Sequence, residues 1–467
     1  MDTGSRWALV AIVVLAPLPF GAVLGWTTSL IASAVGLLAA VTFLRFVRTP
    51  TPLPAGTGLV ALAGGLLAVP GLVQIVPIPA RLVAWISPAT AAFYRANQAG
   101  TPRWLTLSQD VSLTTAALLW LGACTAAALL VVLLFDRRRV RHLLLAVVGL
   151  GVAESFYGVL EFLSGSNHIF RYQKRYYLDS ATGTYINRNH FAGLLVMLLP
   201  VGLAFLLAGL GRLTHADPAS TWRQRLLRLA DGDHHRIILL GLAVAVMAAG
   251  LGLSFSRAGV TFGLLALAAT AAAHGLARSR RRFGRSRGAL AWACGLLLLA
   301  AVPLAVRGPG RLGTMSDDIP VELTASTGRP TVWAATFRMA SDYPLFGTGL
   351  GTFPLTFPRY RPASIRNTYT EAHQDYLQWF SETGLLGVLA GALVLVGVGV
   401  VARRAIRRSA QPADRILAVG VTAGLAGIAF HGLVDFNGHI PANTLMTSVL
   451  AASLLVLGRD TTQERPA

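Results

Sequence analysis

The chain has 467 residues, of which 54% are hydrophobic and 13% charged, with a mean hydropathy of +0.59; soluble domains carry about 25% charged residues, so a soluble globular protein is excluded. Lys and Arg outnumber Asp and Glu by 40 to 20, but the excess lies in short arginine clusters beside apolar stretches. There it orients the chain and touches anionic lipid, and no basic domain for nucleic acid stands apart. Cys124 and Cys294 both lie inside apolar runs, so neither a disulfide nor a thiolate metal site is indicated.

Apolar stretches of 18 or more residues recur, each long enough to cross about 30 Å of hydrocarbon. Unpaired backbone groups are costly in lipid, so these stretches are expected to be helices; the alternation of an outer-membrane barrel is absent. In chain order the reading predicts twelve spans, near 7–25, 28–47, 57–77, 113–135, 143–163, 191–211, 237–254, 257–276, 289–306, 384–402, 416–434 and 440–457. The first stretch, Trp7 to Trp26, lacks a small-residue cleavage site and reads as a retained helix. Pro70 makes 57–77 the span most open to a break, and the turn between 237–254 and 257–276 is short.

One set of loops holds Arg45 and Arg48; Arg137, Arg138, Arg139 and Arg141; Arg212, Arg223, Arg225, Arg228 and Arg236; Arg278, Arg280, Arg281, Arg282, Arg285 and Arg287; and Arg403, Arg404, Arg407, Arg408 and Arg415. Twelve spans put all five loops and both termini on one side, which the positive-inside bias makes the cytoplasm. The expectation is a single all-α, polytopic membrane domain over 1–467, with both termini cytoplasmic. The opposite side receives 79–112 with an interfacial helix, a polar segment at 164–190, and a large periplasmic loop at 307–383 before helix 10.

Four outer-side positions stand out. Arg188 lies in Asn187-Arg188-Asn189-His190 at the entrance of span 6, Arg257 at the turn between spans 7 and 8, and Arg329 at the start of a helical stretch; His373 precedes span 10. A single arginine near a helix end ordinarily snorkels to headgroups. Outer-side arginines, however, run against the positive-inside bias, and Arg257 sits in an almost continuous apolar run where a cation needs an anionic partner. Forked guanidiniums suit a phosphate, and a lipid-linked diphosphate is the anion available at that depth. His373 begins an amphipathic helix and could act as a general base near neutral pH, oriented by Glu371, Asp375 or Glu382.

Other features have plainer readings. The Gly347-Thr348-Gly349-Leu350-Gly351 run lacks the context of a nucleotide-binding loop, and its glycines serve a tight turn or let amides approach an anion. Asp435 could balance an arginine, while Glu154 and Glu161 share a helix face and need partners of a structural kind. His431 and His439 lack a third ligand for a metal site.

From Ser326 to Gly387 the chain resembles the O-antigen ligase family, whose relatives include Wzy-type polysaccharide polymerases. The ligase signature is His, then Asn, Ser or Gln, nine residues, Gly, two residues, and Gly, Thr or Tyr; His373-Gln374, residues 375–383, Gly384 and Gly387 fit it. Arg329 before Trp333, the Gly347 to Phe353 run and Ser256-Arg257 also resemble the family. The resemblance implies a metal-independent, inverting glycosyltransferase at the periplasmic face of the bacterial inner membrane, with no cofactor. Its donor would be an undecaprenyl-diphosphate-linked glycan. The acceptor would be a glycan or glycolipid: the lipid A core for a ligase, another lipid-linked repeat unit for a polymerase. His373 would be the general base, and Arg257, Arg329 and Arg188 would hold the diphosphate, with Asp435, Glu371 and Gln374 in support. The rivals are a flippase or transporter of lipid-linked oligosaccharide, expected to carry polar groups near the midplane, and a non-catalytic assembly factor.

Overall fold

The computed structural model describes residues 3–97, 102–216, 235–279, 328–365, 368–409 and 411–459. These residues are mostly helical, and nine of their helices are long and apolar enough to cross a membrane. In chain order they begin with α1 (Thr3–Leu15), α2 (Gly25–Arg48) and α3 (Thr57–Ile75). Two short helices follow, α4 (Ala80–Ile86) and α5 (Pro88–Asn97), then α6 (Val111–Leu134) and α7 (Arg137–Ser164). Next come α8 (Arg188–Ala216), α9 (His235–Leu253) and α10 (Arg257–Ser279), and then α11 (Arg329–Asp342) and α12 (Phe353–Thr356). The last three are α13 (Asp375–Arg408), α14 (Pro412–His431) and α15 (Pro441–Leu457). Two-residue strand pairs, Ile78–Pro79 with Trp104–Leu105 and His168–Ile169 with Tyr172–Gln173, close two loops between helices.

Local chemistry sets the helix ends. Asp110 and Asp136 cap α6 and α7 by accepting first-turn amides, as side-chain oxygens do at N-termini. Glycine at φ 66 ends α7 at Gly165. The core gathers around α8, almost wholly buried from Phe191 to Leu199. Against it lies α14, whose Gly420 and Gly424 face the carbonyls of Pro200 and Met197 more closely than any side chain would permit.

The bundle has two unlike ends. At one end Arg45 donates to Ser5 (3.1 Å), Arg141 to Asp414 (2.7 Å), and Arg459 to the Phe135 carbonyl (2.9 Å). These bonds gather the start of α1, the end of α2 and both the α6–α7 and α13–α14 junctions, so the arginine clusters at 45–48, 137–141 and 403–415 share that end. At the other end α11, α12 and the turns between them form a cap with its own core of Val332, Met339, Phe353 and Phe357.

The sequence reading of the helices needs adjustment at several places. The stretch expected at 7–25 stops as a helix at Leu15, because Pro17 and Pro19 lack amide donors and clash with a continuing helix; the chain then turns through Phe20, Gly21 and Ala22 at positive φ. Pro70 lies inside an unbroken α3. The interfacial helix expected in 79–112 is two short ones, with Trp85 80% exposed. The amphipathic segment before span 10 is continuous with it as α13, kinked at Gly384. The span expected at 289–306, residues 307–327 of the large loop and the arginines at 223–228 and 280–287 lie outside the described residues.

Candidate functional site

Arg188, Arg257 and Arg329 are each the first residue of a helix, α8, α10 and α11. All three helices open at the end opposite the arginine clusters. In α11 Pro330 fits the first turn, where a missing amide is harmless. Arg329 Nη1 donates to the Val434 carbonyl (2.7 Å), and Nη2 lies 3.4 Å from Asp435 Oδ2. One turn on, Trp333 Nε1 donates to the His373 carbonyl (3.3 Å). The same short helix therefore ties the arginine to the histidine segment.

His373 is held at φ 54, a left-handed conformation unusual for a residue with a side chain. Its neighbours fix it from both sides. Gln378 accepts the Ala372 amide (2.7 Å) and donates to the Glu371 carboxylate. Gln374 caps α13 by accepting the Leu377 amide. The Asp375 amide donates to the Gly432 carbonyl (2.8 Å), and its carboxylate accepts from the Gly438 amide (2.9 Å) and pairs with His439 Nδ1 (2.8 Å). Asp375 thus staples the His373 segment to the 432–439 loop. Burial disfavours charge on His439, but the bond to Asp375 and the nearby Glu371, Asp375 and Glu382 carboxylates outweigh it and raise its pKa to about 10. Burial pushes the Glu371 carboxyl up to about 7, with His439 and Gln378 opposing.

Asp435 lies at the meeting point. Its burial alone would raise its pKa, but His190, Arg329, His431 and His373 hold it below the usual carboxylate value. Its Oδ1 accepts the Phe436 amide (2.8 Å) and lies 3.7 Å from His190 Nε2. The Phe436 ring meets both imidazoles edge to face, His190 at 4.5 Å and His373 at 4.6 Å between centroids. Asn443 links this centre to the Arg188 segment by donating to the His190 carbonyl (3.0 Å) and accepting from Tyr185 (2.9 Å).

The nine-residue spacing of the signature has a physical meaning here. From Asp375 to Thr383 the helix rises about 12 Å, and Gly384 then takes φ 63 and kinks it. A Cβ on Gly384 would sit 2.3 Å from the Leu345 carbonyl carbon. The kink frees the Leu385 and Leu386 amides to donate to the Pro344 and Leu345 carbonyls (2.8 and 3.2 Å). The glycine run packs on the same place: the Gly351 and Phe353 amides donate to the buried Glu382 carboxylate (2.9 and 3.1 Å), and Leu350 donates to Gln74 (2.9 Å). The anion these amides approach is the protein's own.

Of the three carboxylates weighed as orienting groups for His373, Glu371 bonds Gln378, Asp375 bonds His439, and Glu382 bonds the glycine run. Arg257 stands exposed at the head of α10; nearby, a Cβ on Gly259 would lie 2.5 Å from Ala192, so α10 starts against the first turn of α8. Arg188, heading α8, stacks over Tyr177 at 5.2 Å. Glu154 accepts the amide and hydroxyl of Thr184 (2.9 and 2.7 Å), and Glu161 pairs with buried Lys174 (2.5 Å), fastening the 164–190 loop to α7. Sequence reasoning did not single out His190, although it shares the polar run with Arg188, and it weighed His439 only as a metal ligand.

The fold and this cluster define a polytopic helical membrane protein with a buried, charge-compensated polar centre at one end. Residues 242–392 match the family described as O-Antigen ligase, which contains Arg257, Arg329 and His373. That match supports assigning the chain to the O-antigen ligase family, with a membrane glycosyl-transfer function of the ligase or polymerase kind. No curated protein matches the chain.

Proposed function

We propose that the chain transfers a glycan from an undecaprenyl-diphosphate carrier to an acceptor glycan at the periplasmic face of the bacterial inner membrane. The observation that carries this reading is the Arg329–Asp435 pair, joined through Trp333 and Phe436 to His373. The end with the arginine clusters is taken as cytoplasmic on the positive-inside bias, which puts the polar centre outside. In the proposed metal-independent, inverting step His373 takes the proton from the acceptor hydroxyl as its oxygen bonds the anomeric carbon. The bond from that carbon to the diphosphate oxygen breaks on the opposite face. Undecaprenyl diphosphate leaves with its charge met by Arg329, Arg257 and Arg188, whose fixed donors stabilise charge as it develops. Asp435 holds Arg329 in register, and Glu371 and Gln374 hold the segment that presents His373.

The test is to incubate the purified full chain with an undecaprenyl-diphosphate glycan and, separately, lipid A core or a second lipid-linked repeat unit. Transfer to the first acceptor makes it a ligase, and transfer to the second a polymerase. Donor binding with no transfer to either acceptor, together with donor translocation in proteoliposomes, would sink the reading in favour of a transporter.

A further inference from the structure

The arginine-rich end holds a feature that the transfer reaction does not use. Between α1 and the start of α7 lies a cleft of about 380 Å³, lined among others by Arg6, Trp7, Asp136, Arg138, Arg139 and His142. Its one carboxylate is already engaged: Asp136 accepts the Arg139 amide (2.8 Å) and pairs with the Arg139 guanidinium (3.0 Å). Arg6 donates through Nη2 to Thr3 (2.9 Å), while its Nη1 is buried with no hydrogen-bond partner among the described residues. Arg138 stands exposed at the rim. The first turn of α7 opens into the same cleft and adds the positive end of a helix dipole. The cleft therefore presents cationic donors in excess of anions. Trp7, 59% exposed beside Arg6, marks the depth, because exposed tryptophans settle at the headgroup level of a bilayer. Leu15, 56% exposed two turns on, continues an apolar track along α1.

We propose that this cleft binds a phosphate anion carried on the headgroup of an anionic phospholipid, held by Arg6 and Arg138 over the N-terminus of α7. Basic pockets between helices on the cytoplasmic side suit such headgroups. The lipid would hold the short α1 against the bundle.

The experiment measures retention and thermal stabilisation of the full chain by phosphatidylglycerol, phosphatidylcholine and inorganic phosphate, in detergent and in nanodiscs. Phosphatidylglycerol should bind and raise the melting temperature, and phosphatidylcholine should not. Arg6→Gln and Arg138→Gln should each weaken binding roughly fivefold, the size expected for one cation near an anionic surface. Arg48→Gln, in another cluster of the same end, should bind as wild type does. Melting of each variant without lipid shows whether it is folded; one that melts as wild type but loses the lipid response supports the site. Stabilisation by inorganic phosphate that Arg6→Gln abolishes would support the same site with soluble phosphate as its occupant. Equal responses to the two lipids, or an undiminished response in the Arg6→Gln, Arg138→Gln double variant, would overturn the proposal.

Discussion

Two buried aspartates, one at each end of the bundle, each meet an arginine of nearly the same exposure, and they are held very differently. At the arginine-rich end Arg141 reaches Asp414 at 2.7 Å and also bonds Gln411, with side-chain exposures of 28% and 1%. At the other end Arg329 stands 3.4 Å from Asp435, with exposures of 27% and 1%. The first is a short, direct pair made through one carboxylate oxygen, the other oxygen being buried with no hydrogen-bond partner among the described residues. In the second the carboxylate is shared among Arg329, His190 and the Phe436 amide, and its charge is also felt by His431 and His373. A tight pair fastens two helices together. A carboxylate shared among a guanidinium, an imidazole and an amide leaves Arg329 able to turn toward an incoming anion, as the proposed diphosphate site requires.

The largest effect should come from the histidine beside that shared carboxylate. His373→Ala should lower turnover by about 10²–10⁴-fold, the usual loss for a general base, while donor binding and melting temperature stay near wild type. Normal turnover would remove His373 from the mechanism. A fall in turnover matched by donor binding would make it a phosphate ligand, and a marked drop in melting temperature would make it a packing residue. Next in size, Arg329→Lys should weaken donor binding nearly as much as Arg329→Ala, by roughly 10–100-fold for lost charge-assisted bonds. Lysine keeps the charge but not the planar fork, so near-normal binding by the lysine variant would show that a point charge suffices.

The two aspartates can then be separated directly. Asp414→Asn should cost about 1–3 kcal/mol of stability, by weakening the short bond from Arg141 to a buried carboxylate, with turnover per folded molecule unchanged. Asp435→Asn should cost about tenfold in turnover with a smaller loss of stability. If both variants changed stability and turnover in the same proportion, the contrast between the two ends would have no functional content.

What was legible in the sequence follows from the range over which each signal acts. Apolar runs and arginine loops are local patterns, so most of the helices in the described residues and the gathering of Arg45, Arg141 and Arg403 to Arg415 at one end could be read along the chain. Arg188, Arg257 and Arg329 announced themselves as cations out of place. The Phe436 ring between His190 and His373 could not be read, because those residues come from three segments that only the packed bundle brings together. The break at Pro17 and Pro19 was obscured by the hydrophobicity of its surroundings. The glycine run was understood as a turn or an anion cradle, but nothing local identified Glu382, some thirty residues on, as the anion.

The most gradual effect, spread across pH, concerns the staple that holds the His373 segment, and it separates positioning from chemistry. His439 has its pKa raised to about 10 by Asp375 and the neighbouring Glu371 and Glu382 carboxylates, against the opposing effect of burial. Its unfolded value is about 6.5. A histidine whose folded pKa is raised contributes stability that is fully present below the unfolded value and is lost as pH rises through the folded one. Between pH 7 and 10 the wild type should therefore lose up to about 1.4 kcal/mol per pH unit relative to His439→Gln. Glu371, pushed up to about 7, titrates at the lower edge of that window, so the comparison is cleanest above pH 8. The measurement is the melting temperature of both proteins across this range, with turnover followed alongside. Convergence of the two stabilities by pH 10 would identify the protonated His439–Asp375 pair as the staple. A gap that stays constant with pH would mean that His439 acts through packing alone, and that Asp375 is held in place by its backbone bonds to Gly432 and Gly438.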